Sequence, residues 1–271
     1  MLTIDWKERL TLDTEYYLKN KLPGRDYDFE IIFIAYPERV HGKIPSEVIT
    51  FICGVMVQRF GKKHSEYIPF FKHLWLEKGE YGKIAFGAIM AKLMKKRPDI
   101  YLPLLEEMMP FGDAAQVNAL LDKVMLPLIR KKPELFLEKV LSWIKSDQIQ
   151  IRKSATNLCI KLIKRREDLI PEVMSHFQQQ WAYPLGELQS LHVLFLKTVS
   201  KLDPEAYLAV WEEFGISRDP QIVELLCASI VSYDPKLEAQ VELWTKSGNA
   251  RVKKASLQAQ KLLKRKKGVK A

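Results

Sequence analysis

Apolar residues recur along this chain at intervals of three and four positions, the spacing of one buried face of an α-helix. In the stretch 133–145, for example, Phe136, Val140 and Ile144 mark such a face. The spacing predicts helices over 4–20 and from the 41–47 loop to about residue 60. It then predicts helix pairs over 64–76 with 80–96, 99–108 with 114–130, 133–145 with 148–164, 168–180 with 187–201, 204–214 with 220–232, and 236–246 with 249–266.

The unit at 132–166 returns 101 residues later in the chain. That offset is about three repeats of roughly 34 residues, a length typical of helical repeat units. The matched positions are Trp143 with Trp244, Ser146 with Ser247, Ile151 with Val252, Arg152 with Lys253, Lys153 with Lys254, and Lys164 with Arg265.

Five helix openings follow the same rhythm. They begin at Arg97, Lys132, Arg166, Asp203 and Asp234, and they stand 35, 34, 37 and 31 residues apart. Helix pairs of this length bury their apolar faces against neighbouring pairs. We therefore expect an all-α solenoid.

No composition shift or Ser/Gly-rich linker divides the chain, so one domain is expected over 1–266, with an N-terminal cap to about residue 60 and a basic tail at 267–271. The apolar run at 27–38 could be a strand, but no partner strand is evident. We therefore predict a helix there.

Composition and cysteine usage indicate where in the cell the protein is expected. With 47% hydrophobic residues the chain can bury a sizeable core. No run of about 18 apolar residues predicts a membrane span, and charges near the start argue against a signal peptide. Cys53, Cys159 and Cys227 lie within apolar helical patterns and form no CxxC pair. Buried free thiols in a cytoplasmic protein are expected.

Charge is concentrated in two segments. The stretch 251–270 holds nine bases and no acids, and 130–166 holds eleven bases and three acids, within a net charge of +10. The remainder is net acidic. This distribution favours a polyanionic partner, and a solvated helix face with a frayed tail is the plainer alternative.

Motifs for small-molecule chemistry are absent from the sequence. There is no Walker loop and no strand-associated GxGxxG, so no cofactor is expected. The five histidines are dispersed, without HExxH or another ligand spacing, so no metal site is expected.

Most tryptophans occupy helix positions that predict core packing. Trp181 and Tyr183 differ because they lie in a connection between helices, where an aromatic ring beside a basic surface could stack on a base or sugar. The alternative for Trp181 is core packing, which we predict for Trp75, Trp143, Trp211 and Trp244.

The stretch from Phe71 to Arg166, and more loosely 42–210, resembles the bacterial DNA alkylation repair family, the HEAT-like-repeat alkylpurine DNA glycosylases (AlkD-like). The order and spacing of short pieces carry the resemblance. They are Gly42-Lys43-Ile44-Pro45-Ser46-Glu47, Leu74-Trp75, Leu104-Leu105-Glu106-Glu107, Lys132-Pro133-Glu134-Leu135, Trp143-Ile144-Lys145-Ser146-Asp147 and Ile151-Arg152-Lys153-Ser154-Ala155.

The resemblance implies a right-handed superhelical solenoid of ARM/HEAT-like helix pairs that holds DNA on a basic concave face. It also implies a catalytic Trp-x-x-x-Asp stretch and a second Trp. Here the matching positions are Ala114, Asn118 and Leu194, while the basic cleft position is kept as Lys153. A neutral amide cannot supply the charge that stabilises a developing sugar cation. Asp113 could substitute only by a shift of register.

The expected function is therefore binding of double-stranded or branched DNA by a monomer, without efficient base excision. Two alternatives stay open at this point: an active glycosylase for 7-methylguanine or 3-methyladenine, and a protein-interaction solenoid for an acidic partner. The expected phosphate contacts are Arg152, Lys153, Arg251, Lys253 and Lys254.

Overall fold

The computed structural model describes residues 6–22, 28–33, 36 and 42–269. Within this part of the chain all regular structure is helical and no β-strand forms, which confirms the all-α class. Contacts between residues divide the chain into two compact units, Met1–Lys131 (unit 1) and Lys132–Ala271 (unit 2). The single domain expected over 1–266 stays a prediction.

Unit 1 is built around a row of helices that pack in sequence. Helix α2 packs on α1 and α4, α4 packs on α6, and α3 and α5 pack against α4. Short 3-10 helices at Phe29–Phe33, Gly61–Tyr67 and Met109–Phe111 join them. The helices are α1 (Trp6–Asn20), α2 (Ser46–Phe60), α3 (Ile68–Glu77), α4 (Gly79–Leu93), α5 (Pro98–Met108) and α6 (Ala114–Lys131).

Unit 2 contains a second row, in which α8, α10, α12 and α14 pack in that order, with α7, α11 and α13 against them. Two 3-10 turns, Glu167–Leu169 and Gly186–Leu188, precede α9 and α10. The helices are α7 (Pro133–Trp143), α8 (Ile149–Ile163), α9 (Ile170–Gln180), α10 (Gln189–Leu202), α11 (Pro204–Phe214), α12 (Pro220–Ser229), α13 (Pro235–Thr245) and α14 (Ala250–Val269).

The helix openings that recur in the sequence also share a backbone conformation. Arg97, Lys132 and Arg166 have φ, ψ of −140°, 67°; −141°, 66°; and −140°, 75°. Asp203 is close to them at −139°, 84°, while Asp234 has the same φ with ψ 135°. Proline disfavours the α region for the residue before it and suits the first helical turn. The helix openings that recur in the sequence therefore recur as a similar local backbone conformation.

Hydrogen bonds between successive pairs repeat at the same interval. Lys145 Nζ donates to Gln179 Oε1 at 3.0 Å, 34 residues away. Gln178 Nε2 donates to Glu213 at 3.0 Å, 35 residues away. The N–H of Leu185 donates to Gln221 Oε1 at 2.8 Å, over 36 residues. In unit 1, Lys43 Nζ donates to Glu80 at 3.0 Å, over 37 residues. Neighbouring helix pairs are thus joined by polar contacts as well as apolar packing.

The core contains the residues that the apolar spacing selected. The four tryptophans expected in the core, Trp75, Trp143, Trp211 and Trp244, are between 1% and 6% exposed. The three cysteines are buried free thiols, and burial raises the pKa of each thiol to about 12, so none is reactive near neutral pH. These predictions are confirmed.

Several helix bounds differ from prediction; for example, α3 begins at Ile68 rather than at 64, and α4 ends at Leu93 rather than at 96. Within 27–38, the described residues form only the 3-10 helix Phe29–Phe33. Helix α12 ends at Ser229, because Ile230 turns to extended backbone at ψ 124°. Helix α14 continues to Val269, so the first part of the predicted tail is helical, and Lys270 and Ala271 lie outside the described residues.

Candidate nucleic-acid interface

The turns that lead into α8 and α14 have matching hydrogen bonds, 101 residues apart. Ser146 Oγ accepts the N–H of Gln148 at 3.2 Å, and Ser247 Oγ accepts the N–H of Asn249 at 3.2 Å. Each helix begins one residue after the serine-bonded N–H, so both helices begin in the same register. The fourth and fifth residues are Arg152 and Lys153 in α8, and Lys253 and Lys254 in α14.

One face of the α8–α10–α12–α14 row carries a continuous polar path. Lys153 of α8 pairs with Glu187, in the turn before α10. Gln189, the first residue of α10, and Glu224 of α12 line the same groove. Glu224 pairs with Arg251 of α14. We call this surface the row face: Lys153, Glu187, Gln189, Glu224, Arg251 and Lys254.

Two grooves adjoin on the row face. A groove of about 690 Å³ contains Glu187, Gln189 and Leu194 in its lining. A second, of about 400 Å³, contains Gln189, Arg251 and Lys254. Because Gln189 lines both grooves, Glu187, the partner of Lys153, lies on the same side of the row as Lys254.

Carboxylates already neutralise two of the five predicted phosphate contacts. Arg251 donates from Nε and Nη2 to the two oxygens of Glu224, at 2.8 and 2.7 Å. This hydrogen bonding holds the pKa of Glu224 below its usual value. Lys153 likewise lowers the pKa of Glu187 through a direct hydrogen bond. Neither partner is close in sequence, so the pattern of charges along the chain could not predict these pairs.

The other three predicted contacts differ from one another. Lys253 and Lys254 are exposed, and within the described ranges neither side-chain ammonium group forms an ion pair or a hydrogen bond. Arg152 is half-buried, and its Nε is buried without a hydrogen-bond partner among the described residues. Lys253 and Lys254 are therefore the most available of the five cations.

Helix α14 continues this positive charge toward its C-terminal end. Lys264, Arg265 and Lys266 are exposed and form no ion pair with any described residue. Lys267 is different: its Nζ lies 2.9 Å from Glu238 and 5.0 Å from the centre of the Tyr233 ring. These residues are not among the five contacts predicted from the sequence, although 251–270 contains no acid.

The positions that the sequence resemblance matches to catalytic residues lie at the start of α6, within α6 and on α10. Asp113 caps α6: its Oδ1 accepts the N–H of Gln116 at 2.9 Å, and Gln116 Oε1 accepts the N–H of Asp113 at 3.0 Å. Asn118 is half-buried, and its Nδ2 donates to Asp122 at 3.3 Å. Ala114 is exposed on α6, and Leu194 is 44% exposed on α10.

The stacking role predicted for Trp181 is wrong. Its ring is 1% exposed, packs edge-on against Phe214 with centroids 5.0 Å apart, and donates from Nε1 to His192 Nδ1 at 3.1 Å. The connection between α9 and α10 turns this side chain inward. Tyr183 in the same connection is 66% exposed and stays a candidate for stacking.

Among the described residues, no group of three or more His, Cys, Asp or Glu side chains could hold a metal ion. His192 is fully buried, and burial lowers its pKa to about 4, so its imidazole is neutral. His192 is therefore part of the core of unit 2.

Comparison with family models, curated proteins and solved structures gives no match for this chain. In the part of the chain that the structure describes, no helix combines the length and apolar character needed to cross a bilayer.

Proposed function

We propose that unit 2 binds duplex or branched DNA through the phosphates, using α14 and the adjoining row face. The fold that we propose is a right-handed α-solenoid of HEAT-like pairs, with the second helix of each pair in the binding layer. Packing of α8, α10, α12 and α14 in sequence supports it, as do the repeated openings. The family resemblance of the sequence also favours DNA.

The observation that carries this proposal is the exposed, acid-free charge of α14. Lys254 and Arg265 lie eleven positions apart, or three helical turns, so they occupy the same side of the helix. Lys253 and Lys264 repeat this spacing on the flank. Such a stripe of cations without carboxylate partners matches the regular negative charge of a nucleic-acid backbone.

The paired part of the row face contributes less. Glu187 and Glu224 repel phosphates, and Lys153 and Arg251 must exchange a carboxylate for a phosphate before they contribute. Exposed ion pairs of this kind typically stabilise by less than about 1 kcal/mol, so exchange is feasible. We expect α14 to dominate binding and α8 to add a smaller contribution.

Efficient base excision is not part of this proposal. A glycosylase of this kind needs a negative charge beside the developing sugar cation. Asn118 is an amide, and the carboxylate of Asp113 is held by the N-terminus of α6. Losing an electrostatic stabiliser of this kind typically slows a reaction by about 10²- to 10³-fold.

Salt titration of DNA binding tests the proposal directly. The affinity of the whole chain for a short duplex and for a branched junction would be measured by fluorescence anisotropy between about 50 and 200 mM salt. Each phosphate contact adds roughly 0.9 to the slope of log K against log salt. The four cations of the stripe, Lys253, Lys254, Lys264 and Arg265, predict a slope of about 3.6 in magnitude. Absence of binding at about 50 mM salt would refute the proposal.

The excision alternative has its own assay. Alkylated duplex DNA incubated with excess protein in single turnover should release 7-methylguanine and 3-methyladenine at the spontaneous rate. Release above that rate would assign a glycosylase activity, and loss of that activity in Asp113→Asn would identify its carboxylate.

A second candidate function is protein interaction, favoured by an apolar groove between α11 and α13. The groove has a volume of about 330 Å³, and its lining includes Trp211, Ile216 and Leu243. Ile216 is 87% exposed and Leu243 is 61% exposed. Exposed apolar residues that line one groove suit a partner chain.

Competition distinguishes the two candidates. If DNA is the ligand, polyglutamate at matched charge should displace it only weakly, and Ile216→Ser with Leu243→Ser should leave DNA affinity unchanged. If polyglutamate binds more tightly than DNA, the row face and α14 serve an acidic protein partner instead.

A further inference from the structure

Unit 1 contains a groove between α4 and α6, and its lining includes Gln116, the residue that hydrogen-bonds to Asp113. Its volume is about 460 Å³, within the usual range of small-molecule sites. Each helix contributes residues four positions apart, so one turn after another faces the groove. The residues on this face are Gly79, Lys83 and Gly87 on α4, and Ala115, Ala119 and Lys123 on α6.

Small residues make room between the helices and leave an apolar wall. Gly87 and Ala119 present little side chain, while Ile84 and Leu120 supply hydrocarbon surface. A Cβ placed on Gly87 would lie 3.6 Å from both Leu120 Cδ1 and Lys123 Cδ. The stem of Lys123 therefore runs close over the backbone of α4, and this lysine is held within the groove.

Two lysines give the groove a positive charge. Lys83 Nζ lies 5.3 Å from the centre of the Trp75 ring and 3.4 Å from the Trp75 carbonyl oxygen. Lys123 Nζ donates to Thr50 Oγ1 at 3.1 Å, and burial lowers its pKa. Within the described ranges neither ammonium group forms an ion pair, while the nearby Glu80 is paired with Lys43.

Trp75 adds an unsatisfied donor. Its side chain is 1% exposed and lines the groove, and its Nε1–H has no acceptor among the described residues. Burying a donor without an acceptor typically costs about 1–3 kcal/mol. A ligand oxygen that accepted this hydrogen bond would remove the cost.

We propose that this groove binds a small apolar monocarboxylate, with its hydrocarbon or aryl body along Ile84 and Leu120 and its carboxylate bonded to Lys83 and Lys123. A single carboxylate suits the site because it has two acceptor oxygens, one for each of the two lysine ammonium groups. The lysines are half-buried and tethered, which suits an enclosed headgroup better than a nucleic-acid backbone.

Titration with decanoate below its micelle concentration tests this site, with the whole chain followed by calorimetry. Decanoate should bind at a single site, and decanol, which has the same body without the charge, should bind at least about tenfold more weakly. Lys83→Gln and Lys123→Gln should each weaken decanoate binding by about ten- to hundredfold, because each removes a hydrogen bond to a charged group. Ala119→Phe, at an exposed helix position, should fill the groove and abolish binding.

Lys92→Gln is the matched control, since Lys92 is exposed on the same helix and does not line this groove. It should leave decanoate binding unchanged. Unchanged affinity in both Lys83→Gln and Lys123→Gln would overturn the proposal even if Ala119→Phe failed to fold. So would displacement of decanoate by duplex DNA together with weaker DNA binding in the lysine variants, which would assign the groove to DNA. A negative result for decanoate would not affect the DNA-binding proposal for unit 2, because Lys253 and Lys254 are not part of this groove.

Discussion

Helices α8 and α14 start from the same turn and place cations at the same two positions, yet they differ in how much of that charge is available. In α8, Arg152 and Lys153 are half-buried, and Lys153 pairs with Glu187. In α14, Lys253 and Lys254 are exposed and form no ion pair within the described ranges. A repeated motif in the sequence therefore supplies two surfaces of different electrostatic character.

The cause of the difference lies in the neighbouring helices. Helix α8 is followed in the row by α10, whose preceding turn carries Glu187 beside Lys153. Helix α14 has α12 on one side, and the single acid there, Glu224, binds Arg251. The charge of a helix in such a row depends on which acids its neighbours place beside it.

The largest expected effect is a loss of folding stability at low pH. It concerns α10, which lies between α8 and α14 in the row and contains His192. The folded state favours the neutral imidazole, because burial lowers its pKa to about 4 from an ordinary value near 6.5. The stabilisation is complete above about pH 6.5 and is lost as pH falls toward about 4, for a total of about 3 kcal/mol. Urea unfolding monitored between pH 7.5 and 4 would measure this loss.

His192→Gln should reduce the dependence of stability on pH, while a glutamine oxygen can still accept the Trp181 N–H. His176→Gln is the control, because His176 lies on the surface of α9. Equal pH dependence in the wild type and His192→Gln would show that the row does not rely on a neutral imidazole.

A smaller expected effect is a difference in DNA affinity between variants of α14 and variants of α8. Lys253→Gln with Lys254→Gln should lower DNA affinity roughly fiftyfold at about 0.1 M salt, since each phosphate contact contributes nearly tenfold there. Arg152→Gln with Lys153→Gln should lower it by less than about tenfold. Lys62→Gln with Lys63→Gln, on an exposed 3-10 turn of unit 1, controls for the change in net charge. Equal losses in the α8 and α14 variants would erase the distinction between the two helices.

The smallest effect should make α8 more like α14. Glu187→Gln removes the carboxylate partner of Lys153, so DNA affinity should rise by up to about tenfold, and the salt slope should steepen by roughly 0.9. Glu205→Gln removes the same charge from α11, away from the row face, and should change affinity much less. A gain of equal size in both variants would mean that only net charge matters.

Much of the helical framework follows from sequence alone. Apolar spacing and the proline-marked openings predict the helices, because both act within a few residues along the chain. The apolar spacing also predicts the burial of Trp75, Trp143, Trp211 and Trp244. The helix predicted at 27–38 shows the limit, since its described portion is a 3-10 turn.

The details of the candidate surfaces depend on contacts over longer distances. Glu187 is 34 residues from Lys153, and Glu224 is 27 residues from Arg251, so no local pattern marks either pair. The groove in unit 1 joins Lys83 and Lys123 from different helices for the same reason. Trp181 turned inward because His192 and Phe214 provide partners that its position in a connection did not reveal.

The hydrogen bonds that join neighbouring pairs also determine how the molecule opens. Because Lys145 bonds to Gln179 and Gln178 bonds to Glu213, melting one pair removes bonding partners from the pair beside it. Unfolding is then coupled between nearest neighbours, as in a one-dimensional cooperative array. Amide exchange along α7–α13 should therefore vary gradually from helix to helix, and local opening at one end should spread inward through these contacts.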